Sequence, residues 1–304
     1  PYLYTFVKKN IFSEKPVFRI NSFSKINTIF ARLQKERRME KLLNLAIEAA
    51  LRAGEAILKI YNDPTSHLDI ERKADDSPLT QADKEAHKTI VNLLENTSYP
   101  VLSEEGMLAD YEKRQQWKTF WIVDPLDGTK EFIKRNGEFT VNIALISEGS
   151  PVLGVIYVPV KKELYYGSLE NGAYKALAVE PLRVSAIAEV RSRALRLPLV
   201  KGNYPYTIVA SRSHLTPETQ QFIEHLKAEY KQVKLTSIGS SLKICLVAEG
   251  TANIYPRFAP TMEWDTAAGH AIALAAGKNI YQTDEKTPLQ YNKEDLHNPW
   301  FIVK

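Results

Sequence analysis

The sequence predicts a layered α/β fold, and three features of its 304 residues predict it. A stretch of helical periodicity opens the regular part of the chain. A run of short strands punctuated by Gly and Pro follows, and strand and helix then alternate towards the C-terminus. An antiparallel-rich first half before an alternating second half implies two subdomains. The expected organisation is therefore a basic leader over 1–38, an N-terminal α+β subdomain over 39–186, and a C-terminal α/β subdomain over 187–304.

Leu42, Leu45, Ala46, Ala49, Ala53, Ile57 and Ile60 recur at helical spacing and predict an amphipathic helix through Tyr61, ended by Asn62-Asp63-Pro64. Thr80-Gln81-Ala82-Asp83 has the pattern of a capping box, so a second helix should run from Thr80 to about Glu95. Strands are expected at Tyr99–Ser103, Thr119–Asp124, Phe139–Ser147, Val152–Val158 and Glu163–Ser168. Residues 187–204 are Arg/Pro-rich and weakly patterned, which reads as a linker. Beyond it the expected order is strand Tyr206–Ser211, helix Pro217–Tyr230, strand Val233–Ser237, helix Ser240–Glu249, strand Ala252–Phe258 and helix Asp265–Ala276. Short strands at Lys278–Gln282 and Trp300–Val303 close the chain.

With 44% apolar and 25% charged residues the composition is that of a globular protein, and no apolar run approaches the ~20 residues of a membrane span. The charge is unevenly spread. Residues 1–38 hold nine Lys/Arg against two Glu, a net +7, so the rest of the +4 chain carries −3. A mildly acidic body argues against a nucleic-acid partner. The leader lacks the apolar core of a secretory signal; it reads as an organellar transit segment or, preferably, as sequence upstream of a true start at Met39. The single cysteine, Cys245, fits a reducing, cytoplasmic setting, and its apolar neighbours point to an inert buried thiol.

The chemistry concentrates in acidic chain turns. Trp121-Ile122-Val123-Asp124-Pro125-Leu126-Asp127-Gly128-Thr129 is an apolar strand that ends in a carboxylate, turns through proline, offers a second carboxylate and opens a helix. Carboxylates and a turn carbonyl suit a hard cation such as Mg²⁺, and the glycine lets backbone N–H groups approach an anion. Alone, such a segment is equally a tight turn. Two further acidic termini accompany it: Glu104-Glu105-Gly106 after the strand at Tyr99–Ser103, and Asp265 at the start of a helix, where its ordinary reading is an N-cap. Two cations about 3.5–4 Å apart require several carboxylates, and these termini supply them.

Together, Glu104, Asp124-Pro125-Leu126-Asp127-Gly128-Thr129 and Trp264-Asp265 resemble the signature of the lithium-sensitive, Mg²⁺-dependent phosphatases of the inositol monophosphatase superfamily. The resemblance spans about Leu42 to Val303 and implies the layered αβαβα sugar-phosphatase fold. It implies two or three Mg²⁺ held by Glu104, Asp124, the Leu126 carbonyl, Asp127 and Asp265. The segment from Lys73 to Asp83 also matches, with Asp75 orienting or deprotonating the attacking water in partnership with Thr129; the adjacent Asp76 leaves a one-position ambiguity.

Thr129-Lys130-Glu131-Phe132 followed by Phe139-Thr140-Val141-Asn142 is similar to the bacterial bisphosphate nucleotidases of cysteine biosynthesis. That branch implies hydrolysis of the 3′-phosphate of adenosine 3′,5′-bisphosphate in sulfur assimilation, with cleavage of the sulfated relative left open. A second phosphate needs cations of its own. Ser240-Ser241-Leu242-Lys243 and Tyr255-Pro256-Arg257-Phe258 supply Lys243 and Arg257, and the resemblance places Ser240 and His214 at the nucleotide as well. The implied substrate set is thus Glu104, Leu126, Asp127, Gly128, Thr129, His214, Ser240, Lys243, Arg257 and Asp265. His87, His225 and His270 read as packing or surface residues. The alternatives are an inositol or sugar phosphatase on the same scaffold and, from another class, a non-catalytic nucleotide- or metal-binding regulator. The residues leave open monomer versus homodimer and a peripheral association with the inner membrane.

Overall fold

The structure, a computed structural model, describes residues 19–63, 71–72, 78–180, 187–202, 205–211 and 215–304. The chain forms two compact units, Pro1–Lys41 and Leu42–Lys304. Helix α1 (Arg19–Asn62) supplies the described part of the first and opens the second. It begins well before the expected Leu42. Residues 19–41 contain no Gly or Pro to stop a helix, and Arg32 pairs with Glu36 one turn on at 2.8 Å. Phe30 and Leu33 are exposed there, so the apolar period that marks a packed helix is missing. Of the expected face, Ala46, Ala49, Ala53 and Ile57 are inaccessible, whereas Leu42, Leu45 and Ile60 are half-buried; Leu43, Ile47, Ala50 and Leu51, outside the expected set, are buried as well.

Within the second unit the short strands β1 (Glu71–Arg72) and β2 (Pro78–Leu79) form an antiparallel pair, and α2 (Gln81–Leu94) follows the capping box read from Thr80. Next come β3 (Val101–Ser103), the four-residue α3 (Tyr111–Arg114), β4 (Thr119–Asp127), the short α4 (Thr129–Ile133), β5 (Thr140–Ser147), β6 (Ser150–Val158), β7 (Glu163–Ser168) and β8 (Gly172–Ala176). The expected linker at 187–204 carries structure: α5 (Ile187–Ser192) and β9 (Leu195–Arg196). Strands β3 to β9 form one seven-stranded sheet in sequence order, so it continues past the expected boundary at residue 186. Only the β3–β4 pair is parallel; every later neighbour is antiparallel. That is the antiparallel-rich architecture the strand run predicts.

The alternating half contains β10 (Tyr206–Ala210), α6 (Pro217–Glu229), β11 (Val233–Ser237), α7 (Leu242–Glu249), β12 (Tyr255–Arg257), α8 (Glu263–Ala275), β13 (Ile280–Gln282) and β14 (Phe301–Val303). Strands β10 and β11 pair in parallel, and β14 lies between β12 and β13. Helix α8 lies across β4 to β8 of the large sheet, and its Ala267, Ala268 and Ile272 share a core with Phe120, Ile122, Ala144 and Ile156. It approaches so closely that a Cβ at Gly154 of β6 would run into the Ala268 carbonyl oxygen. Among the described residues, no helix is long and apolar enough to cross a membrane.

Candidate active site

Parallel pairing aligns Ser103 with Val123, and the Glu104 amide donates to the Val123 carbonyl at 3.1 Å. The ladder therefore ends with Glu104 beside Asp124. On the other side of β4 the register shifts, because Asp124 faces Asn142 whereas Asp127 faces Thr140. Three steps on β4 match two on β5, a bulge that re-aims the Pro125-Leu126-Asp127 segment. The Leu126 amide donates to Asp124 Oδ1 at 3.1 Å and holds the turn. Gly128 has φ +95°, a left-handed conformation that glycine adopts without steric penalty, before α4 begins at Thr129.

The third acidic terminus arrives on α8. The helix starts at Glu263, two residues before the expected Asp265, so Asp265 is the third residue of the helix rather than its cap. Its Oδ2 accepts from the Met262 amide at 2.7 Å. Glu104, Asp124 and Asp265 then offer oxygens that all lie within 4.8 Å of one another. Burial and the neighbouring Glu104, Asp127 and Asp265 hold the Asp124 carboxyl well above the usual carboxylate range. Burial with Asp127 and Glu104 pushes Asp265 up as well. Carboxylates gathered this tightly, at the ends of elements that fix them, are a donor set suited to a hard divalent cation.

Asp127 stands beside this trio and faces a hydrogen-bonded post. Its Oδ2 accepts from the Ser241 amide at 2.6 Å, the Ser241 hydroxyl at 2.7 Å and the Asn142 amide group at 3.4 Å. Ser241 Oγ also lies 2.9 Å from the Asp265 carbonyl, so one buried hydroxyl touches both carboxylate-bearing segments. Neither Asn142 nor Ser241 was expected at the site. A neutral amide inside an apolar strand and a serine at a helix start carry no signal that separates them from packing residues.

Asp75, the expected partner of Thr129, lies outside the described residues. Among the described residues the carboxylate that meets Thr129 is Asp83, whose Oδ1 accepts the Thr129 hydroxyl at 3.0 Å. The other oxygen of Asp83 accepts from the Thr80 amide at 2.8 Å and the Thr80 hydroxyl at 2.5 Å. Asp83 is 1% exposed, so the capping box fixes its carboxylate while leaving one oxygen for Thr129. The signal was present in Thr80-Gln81-Ala82-Asp83, where the capping role had accounted for the acid.

A cleft of about 240 Å³ opens from Asp127 and Asp265 towards Lys130, Ser240, Lys243 and Arg257. Lys243, 8% exposed, donates to the Ser240 carbonyl at 2.6 Å and sits 5.6 Å from the centre of the Tyr255 ring. Burial lowers its pKa to about 8, partly offset by Asp127 and reinforced by Arg257. Arg257, 9% exposed, donates through Nη2 to the Pro260 carbonyl at 3.1 Å, and its Nε has no partner among the described residues. Ser240 adopts φ +47°, and its hydroxyl is likewise without a partner there. Of the expected residues, Asp127, Ser240, Lys243, Arg257 and Asp265 line the cleft, and Glu104 and Asp124 join Asp265 in the carboxylate cluster. Leu126, Gly128 and Thr129 continue the chain on either side of Asp127, and His214 lies outside the described residues. Cys245 is buried with its thiol pushed up, and His270 is buried against Tyr291 and Asn279, both as expected of packing residues.

The sequence profile of the inositol monophosphatase family matches residues 38–300. The chain is 47% identical over 264 residues to a Salmonella typhimurium 3′(2′),5′-bisphosphate nucleotidase CysQ, covering 86% of this chain and 99% of that one. It is 46% identical over 265 residues to the Escherichia coli K12 protein of the same name, with the same coverage. A crystal structure of CysQ from Bacteroides thetaiotaomicron superposes with a TM-score of 0.78 at 59% identity, over 86% of this chain and 95% of that one. Profile, relatives and superposition coincide with the carboxylate cluster and its cleft: the chain belongs to the inositol monophosphatase family of metal-dependent phosphatases.

Proposed function

We propose that this chain is a 3′(2′),5′-bisphosphate nucleotidase that hydrolyses the 3′-phosphate of adenosine 3′,5′-bisphosphate to AMP and inorganic phosphate. The observation that carries the reading is the second charged locus. A phosphomonoester of a sugar needs the carboxylate-bound cations alone, whereas this cleft is also lined by Lys243 and Arg257. The names of the relatives at 46–59% identity support the same substrate.

Glu104, Asp124 and Asp265 are the residues that would hold Mg²⁺, with Asp127 and the Leu126 carbonyl completing the oxygen set. When bound there, Mg²⁺ supplies positive charge at the phosphoryl oxygens and acidifies water. The chain's own groups do the rest. The Thr129 hydroxyl donates its proton to Asp83 Oδ1, so its oxygen is free to accept a hydrogen bond from an entering water. As that water attacks and the bond from phosphorus to the 3′-oxygen breaks, its proton passes to Thr129 Oγ1 while the Thr129 proton moves to Asp83. The proton taken up there is returned through solvent, and the departing 3′-oxygen is protonated to the 3′-hydroxyl of AMP. The two Thr80 hydrogen bonds hold the Asp83 carboxylate still through this exchange. Within the same cleft, Arg257 Nε and the Lys243 ammonium would bind the 5′-phosphate, and Ser240 Oγ would add a neutral hydrogen-bonding group.

Phosphate release measured with adenosine 3′,5′-bisphosphate, 5′-AMP and inositol 1-phosphate, with and without Mg²⁺ and Li⁺, tests the reading. The expected pattern is Mg²⁺-dependent, Li⁺-inhibited turnover of the bisphosphate to 5′-AMP with slow turnover of the other two. Faster release from inositol 1-phosphate would replace the nucleotidase reading with the inositol one.

A further inference from the structure

One buried arginine outside the cleft joins two of the carboxylate-bearing segments. Arg114, the last residue of α3, is 4% exposed and donates through all three guanidinium nitrogens. Its Nε reaches the Ala109 carbonyl at 3.0 Å, Nη1 reaches Asn292 Oδ1 at 3.0 Å and the Lys293 carbonyl at 3.1 Å, and Nη2 reaches the Glu294 carbonyl at 3.2 Å. Asn292 answers by donating its side-chain amide to the Arg114 carbonyl at 2.6 Å.

Each end of this clamp leads to one of the gathered carboxylates. Ala109 is the penultimate residue of the loop that Glu104 begins, so the loop is pinned at its start by the β3–β4 ladder and near its end by Arg114. The amides of Asn292 and Lys293 donate to the carboxylate of Glu263 at 2.6 and 3.0 Å, and the Lys293 ammonium adds a contact at 2.5 Å. Glu263 is fully buried, opens α8 and lies two residues before Asp265. The path therefore runs from the Glu104 loop through Arg114 and Asn292 to Glu263 and the first turn of α8.

Glu104 and Asp265 have oxygens within 4.8 Å of each other, a distance at which two carboxylates repel. Without a scaffold that opposes the repulsion, the pair would spread until a cation drew it together, and ordering it would then weaken cation binding. We propose that Arg114 is a positioning residue for divalent-cation binding, acting through the Asn292–Glu263 link to hold Glu104 and Asp265 at ligand spacing. This rests on the reading of Glu104 and Asp265 as metal ligands. A lysine cannot substitute fully, because one ammonium with three N–H groups does not span acceptors on both loops.

The test is Mg²⁺ binding by isothermal titration calorimetry to the full chain, alongside thermal unfolding with and without Mg²⁺. Arg114→Lys removes part of the clamp. Asn292→Gly removes its side-chain bridge while suiting the φ of +70° that Asn292 adopts. Both variants should stay folded, bind Mg²⁺ about tenfold more weakly or worse, and lose most of the Mg²⁺-dependent rise in Tm. Their kcat at saturating Mg²⁺ and their nucleotide KM should return towards the parent values. A folded variant with unchanged Mg²⁺ affinity, or loss of folding in both variants, would overturn the proposal. Asp265→Asn is the control: Mg²⁺ affinity surviving that change would bring down the metal assignment itself and the clamp with it.

Discussion

The carboxylate wall of the site and the cationic wall of its cleft are anchored differently. Glu104 directly follows β3, Asp124 sits in β4 at the bulge, Asp265 lies in the first turn of α8 and accepts from the Met262 amide, and Asp127 accepts three donors from Ser241 and Asn142. Lys243, by contrast, contacts two backbone carbonyls, and Arg257 keeps one nitrogen without a partner among the described residues. One wall is fully organised by the protein but holds a concentration of negative charge. The other holds unspent hydrogen-bond donors. The first arrangement suits cations, the second an anion that arrives with the substrate, and the difference separates the chemistry of the reaction from its specificity.

Several measurements would break or sharpen that division. The largest effect should come from the carboxylate wall: Asp127→Asn should reduce kcat on the order of 10³-fold with the fold retained by circular dichroism. Substantial residual turnover would remove Asp127 from the machinery. Next, Asp83→Asn should lower kcat by about 10²-fold or more, because it removes the acceptor that Thr129 uses. It should also weaken the cap of α2 by about 1 kcal/mol, visible in Tm. Asp75→Asn, assayed in parallel, should change kcat far less; the reverse order would restore the pairing first expected from the sequence.

The cationic wall should act on binding. Lys243→Ala should raise KM for adenosine 3′,5′-bisphosphate by about 10- to 100-fold, as expected for loss of a charged hydrogen bond, and leave KM for a monophosphate nearly unchanged. Equal effects on both substrates would place Lys243 at the scissile phosphate instead. A smaller effect should follow pH. With its pKa lowered to about 8, Lys243 is a cation below that pH and loses its charge as pH rises through it. In the free enzyme kcat/KM for the bisphosphate should therefore fall above about pH 8, and Lys243→Ala should remove that limb of the profile.

The long-range order of the fold was legible because apolar period and turn residues coincide with it. Ala46, Ala49, Ala53 and Ile57 on the buried face of α1, the capping box of α2 and the strand run from β4 to β7 lie where the pattern puts them, with β4 running three residues further than expected, to Asp127. Elements stabilised mainly by tertiary neighbours were not. Strand β9, two exposed residues, exists because Tyr174 and Lys175 of β8 pair with it, and α5 lies in the same Arg-rich stretch. The exposed start of α1 has no packed face to announce it.

The site shows the same divide. Acids at chain turns stand out in a sequence, so Glu104, Asp124, Asp127 and Asp265 were readable. Asp83 was concealed by a sufficient local explanation, since an acid three residues after Thr80 already accounts for itself as a cap. Asn142, Ser241 and Arg114 act through partners 99, 114 and 178 positions away, and nothing local marks such contacts.

The most direct test of the account is a crystal structure with Mn²⁺ and adenosine 3′,5′-bisphosphate, collected to give an anomalous signal from the metal. Manganese bound by Glu104, Asp124 and Asp265 beside the 3′-phosphate, with the 5′-phosphate against Lys243 and Arg257, is the predicted result. Manganese absent from those carboxylates, or a nucleotide whose second phosphate turns away from Lys243 and Arg257, would contradict it.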